Sequence, residues 1–134
     1  MVEDHFNELV IDLVNPAGQP ERMQLVVRGY NDGFAFCYKI PDGKGPCVNV
    51  QSELTAYNFA GDYTAWFYNG ENHNIGPEKL TETDGTRLPV MTVKAGDKHY
   101  MAIHEACLET GAPLVLQSKG GESLFSVASK PTSL

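Results

Sequence analysis

Hydrophobic and polar residues alternate along most of this chain, and hardly any stretch has the spacing of an amphipathic helix. Between Glu8 and Val14, for example, Leu9, Ile11 and Leu13 fall on one face of an extended segment. Side chains in a β-strand point to opposite faces at successive positions. The alternation therefore predicts a chain built from strands.

Turn residues divide this pattern into about ten strand-like segments. These are Glu8–Val14, Met23–Tyr30, Phe34–Ile40, Val48–Gln51, Leu54–Phe59, Ala65–Tyr68, Val90–Lys94, Lys98–Ala106, Pro113–Gln117 and Ser123–Val127. The first two are expected to pair antiparallel, and Asn31-Asp32-Gly33 gives the strongest hairpin signal because these residues tolerate positive φ. The sum predicts an all-β, antiparallel β-sandwich forming a single domain over residues 1–134.

The stretch Asn69–Thr86 interrupts the alternation with many polar residues. It predicts a long surface loop, and loops of this length in compact domains are usually functional or flexible.

The charge of the chain limits its partners. A net charge of −7 and a pI near 4.9 argue against binding to nucleic acid or to anionic membranes. The N-terminus lacks the basic start and apolar core of a secretory signal, and no apolar run reaches the length of a membrane span. As written, the chain is therefore expected to be cytoplasmic.

The three cysteines, Cys37, Cys47 and Cys107, lie in apolar surroundings without the spacing of metal ligands. Their odd number and their spacing favour buried free thiols over a disulfide framework or a zinc site.

A carboxylate follows the alternating segment that begins at Tyr100. If the strand continues, Glu105 falls on the same face as Met101 and Ile103, where a charge must be paired, hydrogen-bonded or bound to a metal. His104 then falls on the opposite face. The alternative is that the strand has already left the sheet and that Glu105 points into water.

Trp66 is the single tryptophan, and Phe67 and Tyr68 follow it. An aromatic face can stack on a sugar, so Trp66 is a candidate carbohydrate platform. The alternative is that Trp66 or Phe67 fills the core of the sandwich. Nucleophile elbows, glycine-rich phosphate loops and paired-histidine metal motifs are absent from the sequence, so no catalytic site is predicted.

Four segments carry a family resemblance. They are Asn7-Glu8-Leu9, Arg28–Pro41 (RGYNDGFAFCYKIP), Glu53–Asp62 (ELTAYNFAGD) with Ala65-Trp66, and Met101–Leu108 (MAIHEACL). In this order and at these separations they resemble the N-terminal domain of glycoside hydrolase family 97, or a middle portion of it, from Asn7 to about Pro131.

The resemblance implies a β-sandwich of the galactose-mutarotase-like type. In this family of mostly bacterial, periplasmic or secreted α-glucosidases and α-galactosidases, such a domain precedes a (β/α)8 barrel that carries the catalytic carboxylates. Glu105 matches the one carboxylate that the domain contributes to a calcium site beside the sugar. The resemblance therefore implies calcium at Glu105. Trp66, His104 and Glu105 are the candidate carbohydrate-binding residues, and the alternative for His104 is a hydrogen-bonded structural or surface histidine.

Three functions follow as expectations. The favoured one is a non-catalytic β-sandwich with weak binding of carbohydrate or calcium. A second is a glycosidase subunit or fragment whose site is completed by a separate barrel. The third is a structural or dimerisation module without a ligand, because unpaired sheet edges and an open face favour a homodimer.

Overall fold

The computed structural model describes residues 4–16, 22–40, 50–68, 70, 74–106, 108 and 113–128. Within them the chain forms ten strands in antiparallel sheets and one short 3₁₀ turn. The predicted all-β, antiparallel class, as expected for a β-sandwich, is confirmed. Among these residues no helix is long and apolar enough to cross a membrane.

The chain divides into two compact units, Met1–Pro46 and Cys47–Leu134. The first unit holds a three-stranded sheet in the order β1-β2-β3. Its strands are β1 (Asn7–Val14), β2 (Arg22–Gly29) and β3 (Phe34–Lys39). The expected pairing of β1 with β2 and the hairpin at Asn31-Asp32-Gly33 are both present. The Tyr30 amide donates to the Gly33 carbonyl at 2.8 Å and closes that turn.

The register of these strands separates apolar from charged side chains. Leu9 lies opposite Val27, and Val27 lies opposite Phe36, so one face is apolar across all three strands. We call this the apolar face of the first unit, and it comprises Leu9, Ile11, Leu13, Met23, Leu25, Val27, Phe34, Phe36 and Tyr38. The opposite face carries Glu8, Asp12, Arg28 and Lys39, and we call it the charged face.

The second unit contains a seven-stranded sheet in the order β4-β10-β9-β7-β5-β6, with β8 paired to β7. Its strands are β4 (Ala56–Asn58), β5 (Thr64–Tyr68), β6 (Asn74–Lys79), β7 (Asp84–Lys94), β8 (Tyr100–Ile103), β9 (Leu116–Lys119) and β10 (Leu124–Val127). Strand β7 is the longest. Its first part, Asp84–Arg87, pairs with β9, and its last part, Met91–Lys94, pairs with β8 and with β5.

The core of the second unit is built from side chains that alternate with exposed ones along these strands. Ala65 and Phe67 of β5 are buried, as are Met91 and Val93 of β7. Leu80, Leu116 and Phe125 complete the cluster. The Phe67 and Phe125 rings pack with their centroids 5.6 Å apart.

The prediction of a surface loop over Asn69–Thr86 is wrong for the described part of that stretch. It contains β6, a 3₁₀ turn at Leu80–Glu82 and the beginning of β7, whereas Asn69 and the segment 71–73 lie outside the described residues. The polar composition was misleading because β6 lies at the end of the strand order, where none of the described strands pairs with its outer edge. Such a strand tolerates a proline, here Pro77.

Gly76 explains the irregular pairing of β5 with β6. Its φ is +118°, and a Cβ added there would lie 2.6 Å from the Ala65 carbonyl oxygen. The register shifts between Ala65 and Phe67, where the β6 backbone makes this close approach. Only glycine fits such a position without displacement of the backbone.

Two smaller predictions also need correction. Val50 and Gln51 are not in a strand, and Val48 lies outside the described residues. Cys37 is a free thiol as expected, but it is exposed rather than buried because it lies on the charged face of β3. Cys47 and Cys107 lie outside the described residues.

Candidate functional site

Glu105 lies just beyond the end of β8. The strand ends at Ile103 rather than at Ala106, so the chain has left the sheet at Glu105, as the alternative interpretation expected. The side chain is nevertheless half-buried. Neither interpretation is complete, because the chain has left the sheet at Glu105 and the carboxylate is still partly shielded from water by the protein.

A backbone amide fixes the position of this carboxylate. The Leu114 N–H donates to Glu105 Oε2 at 3.2 Å. Leu114 is partly buried and packs against the core cluster of the second unit. The hydrogen bond therefore ties the segment after β8 to the segment that leads into β9, and it holds Oε2 in a defined place.

Trp66 lies on the face of β5 opposite the core. Its neighbours Ala65 and Phe67 are both buried, so it is Phe67 that fills the core while Trp66 is half-exposed. The indole edge packs against the next strand, since a Cβ on Gly76 would lie 3.1 Å from Trp66 Cδ1. The exposed part of the indole is available to a ligand, and the packed edge limits its rotation.

His104 is exposed and follows Ile103, the last residue of β8. The register places Trp66 opposite Thr92 of β7, and Thr92 opposite Ala102 of β8. Trp66 and Ala102 therefore share a row two strands apart, about 10 Å between backbones. His104 is two residues beyond that row. Among the described contacts, none joins Trp66 to His104 or to Glu105.

The described residues contain no group of three or more histidine, cysteine, aspartate or glutamate side chains arranged to hold a metal. Glu105 is therefore a single oxygen donor group in this part of the chain. A complete calcium site takes six to eight oxygen ligands at about 2.3–2.6 Å. The described residues alone do not fit a calcium ion.

A partly buried cluster of polar side chains, Glu78, Thr83 and Arg87, lies in and next to the stretch predicted as a loop. Thr83 Oγ1 donates to Glu78 Oε2 at 3.3 Å, and the Arg87 guanidinium lies 3.6 Å from the same oxygen. The Arg87 guanidinium also lies 5.9 Å from the Phe67 ring centre. These contacts join β6 to β7, so the group stabilises the sheet rather than presenting a ligand site.

The first unit has an open concavity of about 430 Å³, which the sequence gave no signal to find. It is lined by His5, Phe6, Asn7, Gly29, Tyr30 and Asn31. The Phe6 and Tyr30 rings are 5.7 Å apart, and the Arg28 guanidinium lies 4.3 Å from the Phe6 ring centre. The Glu8 carboxylate, which binds Arg28 Nε at 2.7 Å, and Tyr30 raise the pKa of Arg28.

The sequence profile described as "Glycosyl-hydrolase 97 N-terminal" matches residues 1–132. The chain belongs to this family. The expectation drawn from the four motifs is thereby confirmed at the level of the family.

Two relatives of the family 97 domain are named as alpha-galactosidases. A probable retaining alpha-galactosidase of Streptomyces bingchenggensis is 33% identical over 107 residues, covering 66% of this chain and 16% of that protein. A retaining alpha-galactosidase of Bacteroides thetaiotaomicron is 29% identical over 121 residues, covering 78% of this chain and 18% of that protein. The family 97 chain thus spans less than a fifth of the length of either relative.

Proposed function

We propose that this family 97 N-terminal domain is a non-catalytic module that presents one fixed carboxylate, Glu105, toward a calcium ion and a sugar. The remaining calcium ligands come from outside the described residues, and a separate catalytic barrel is their most suitable source. Two relatives that bear the name retaining alpha-galactosidase support an α-galactoside as the sugar.

The hydrogen bond from Leu114 to Glu105 carries this proposal. A carboxylate that only served solubility would gain nothing from a fixed orientation, whereas a metal ligand must be held in place before the ion arrives. With Oε2 bound to the Leu114 amide at 3.2 Å, the carboxylate has a fixed position from which to act as a ligand.

Trp66 supports the sugar-binding part of the proposal. Its indole is half-exposed and packs at one edge against β6. The side chain therefore loses little conformational entropy when a sugar stacks on it. His104 is exposed near the same strand end as Glu105 and supplies a hydrogen-bonding group there.

Calcium titration of the isolated chain tests the proposal. We expect binding in the millimolar range or none, because one carboxylate supplies too few oxygens. Terbium luminescence and calorimetry would follow the titration in the wild type, in Glu105→Gln and in the control Glu122→Gln, whose side chain is exposed in the turn before β10. A micromolar site in the isolated chain would contradict the proposal, and residual weak binding that survives Glu105→Gln would exclude Glu105 as the ligand.

The non-catalytic role has its own assay. Glycoside hydrolysis uses two carboxyl groups about 5–10 Å apart across the scissile bond. We therefore expect no turnover of aryl α-galactosides or α-glucosides by the purified chain. Turnover that disappears in Glu105→Gln would refute this role.

A further inference from the structure

Within its three strands the apolar face of the first unit contains no charged side chain, and its polar groups are Asn7 at the start of β1 and the Tyr38 hydroxyl. Leu9 is 58% exposed and Phe34 is 73% exposed, and Ile11, Met23 and Tyr38 are exposed as well. Monomeric soluble proteins rarely leave an apolar patch of more than a few hundred Å² in contact with water. A continuous face of this kind is typical of a surface that another sheet covers.

The area of the apolar face is sufficient for a small protein–protein interface. Strands of 8, 8 and 6 residues, spaced about 4.8 Å apart with a rise of about 3.4 Å per residue, cover roughly 350 Å² in projection. Side chains that stand out from the sheet add to this area. Two such faces together approach the ~1,000 Å² that a specific interface needs, at the weak end of the range.

The distribution of charge favours a second copy of this chain as the partner. Glu8, Asp12, Arg28 and Lys39 all lie on the charged face, so the apolar face has no charge by which to select a charged partner. Two identical apolar faces are self-complementary without any like-charge contact. Stacked sheets pack about 10 Å apart with their strands within about 30° of each other, an arrangement compatible with a two-fold axis.

We propose that the apolar face of the first unit is a homodimer interface, in which the sheets β1-β2-β3 of two copies stack face to face. The dimer is weak and in rapid exchange, as expected for an interface below the standard size. The chain carries a net charge of −7, which repels a second copy at low salt. Added salt therefore strengthens the dimer. The proposal does not depend on Glu105 or on calcium.

Sedimentation velocity from 1 to 300 µM, with 50 and 500 mM NaCl, tests the dimer. Leu9→Glu places a carboxylate on the apolar face, and Val10→Glu places the same charge on the opposite face of the same strand, where Val10 is 48% exposed. We expect Leu9→Glu to raise the dissociation constant at least tenfold and Val10→Glu to leave it unchanged.

Far-UV circular dichroism of all three proteins checks that each remains folded, and Phe34→Glu repeats the test on β3 if Leu9→Glu unfolds. A wild-type chain that stays monomeric at 300 µM would overturn the proposal and assign the face to a different occupant. Equal loss of the dimer in Leu9→Glu and Val10→Glu would also overturn it, since that result indicates pairing through the β1 edge. A dimer that dissociates as salt rises would contradict apolar stacking.

Discussion

At the scale of single residues, the sequence predicted where a constrained carboxylate lies but not what constrains it. Continued alternation would have placed Glu105 on the face of Met101 and Ile103, but the strand ends at Ile103, and the Glu105 side chain is half-buried outside the sheet. Its partner, the Leu114 amide, is nine residues away and belongs to a segment without any pattern that points back to β8. This contact depends on the path of the chain between Glu105 and Leu114, and the alternation of hydrophobic and polar residues does not predict that path.

Removing the Glu105 carboxylate leaves the Leu114 amide without its acceptor. We expect Glu105→Ala to lower the free energy of unfolding by about 1–2 kcal/mol, because a partly buried N–H that loses its partner is costly. Glu105→Gln should cost less, since its amide oxygen can still accept the bond. Urea denaturation of both variants measures this difference.

Glu122→Ala serves as the exposed control and should change stability by less than about 0.5 kcal/mol. A neutral Glu105→Ala would mean that the hydrogen bond contributes nothing to the fold.

At the scale of elements, the sequence was reliable where alternation and turn chemistry agree. Strands β1, β2 and β3 were found with ends within one or two residues, because apolar residues recur at every second position and a tight turn follows β2. Strand β6 was missed because Gly76 and Pro77 are typical of loops and because its polar residues suit an edge. Its place in the sheet comes from pairing with β5, a tertiary effect that overrides local preference.

The close approach at Gly76 leads to a prediction about β6. Gly76→Ala should destabilise the chain by about 2 kcal/mol or more, because a Cβ would meet the Ala65 carbonyl oxygen at 2.6 Å as well as adopt an unfavourable φ.

Gly96→Ala is the matched control, since Gly96 also has a positive φ, +86°, but nothing lies within 4 Å of an added Cβ. Gly96→Ala should lower the free energy of unfolding by about 1 kcal/mol, the cost of holding alanine at a positive φ. Thermal unfolding of the two variants separates the steric contribution from the conformational one, and equal losses would show that the contact with Ala65 relaxes freely.

At the scale of the whole molecule, the sequence predicted the all-β class and the family, and the profile match over residues 1–132 confirms the family. The division at Pro46 was not foreseen, because the number and period of strands do not indicate which strands share a sheet. The single-domain assignment over residues 1–134 stays a prediction. Function is less accessible at this scale, because the chain covers only 16% and 18% of the two relatives that are named alpha-galactosidases.

The length of β7 has a consequence for how the second unit opens in solution. This strand pairs with β9 along Asp84–Arg87 and with β5 and β8 along Met91–Lys94, so no neighbour can detach completely without disturbing it. Amide protons of β7 should therefore exchange with deuterium last, and with the same denaturant dependence as those of β5 and β9, as one cooperative unit. The edge strand β6 should exchange earlier. Mass spectrometry of native-state exchange measures this order, and separate opening of β5 and β9 would mean that β7 does not couple them.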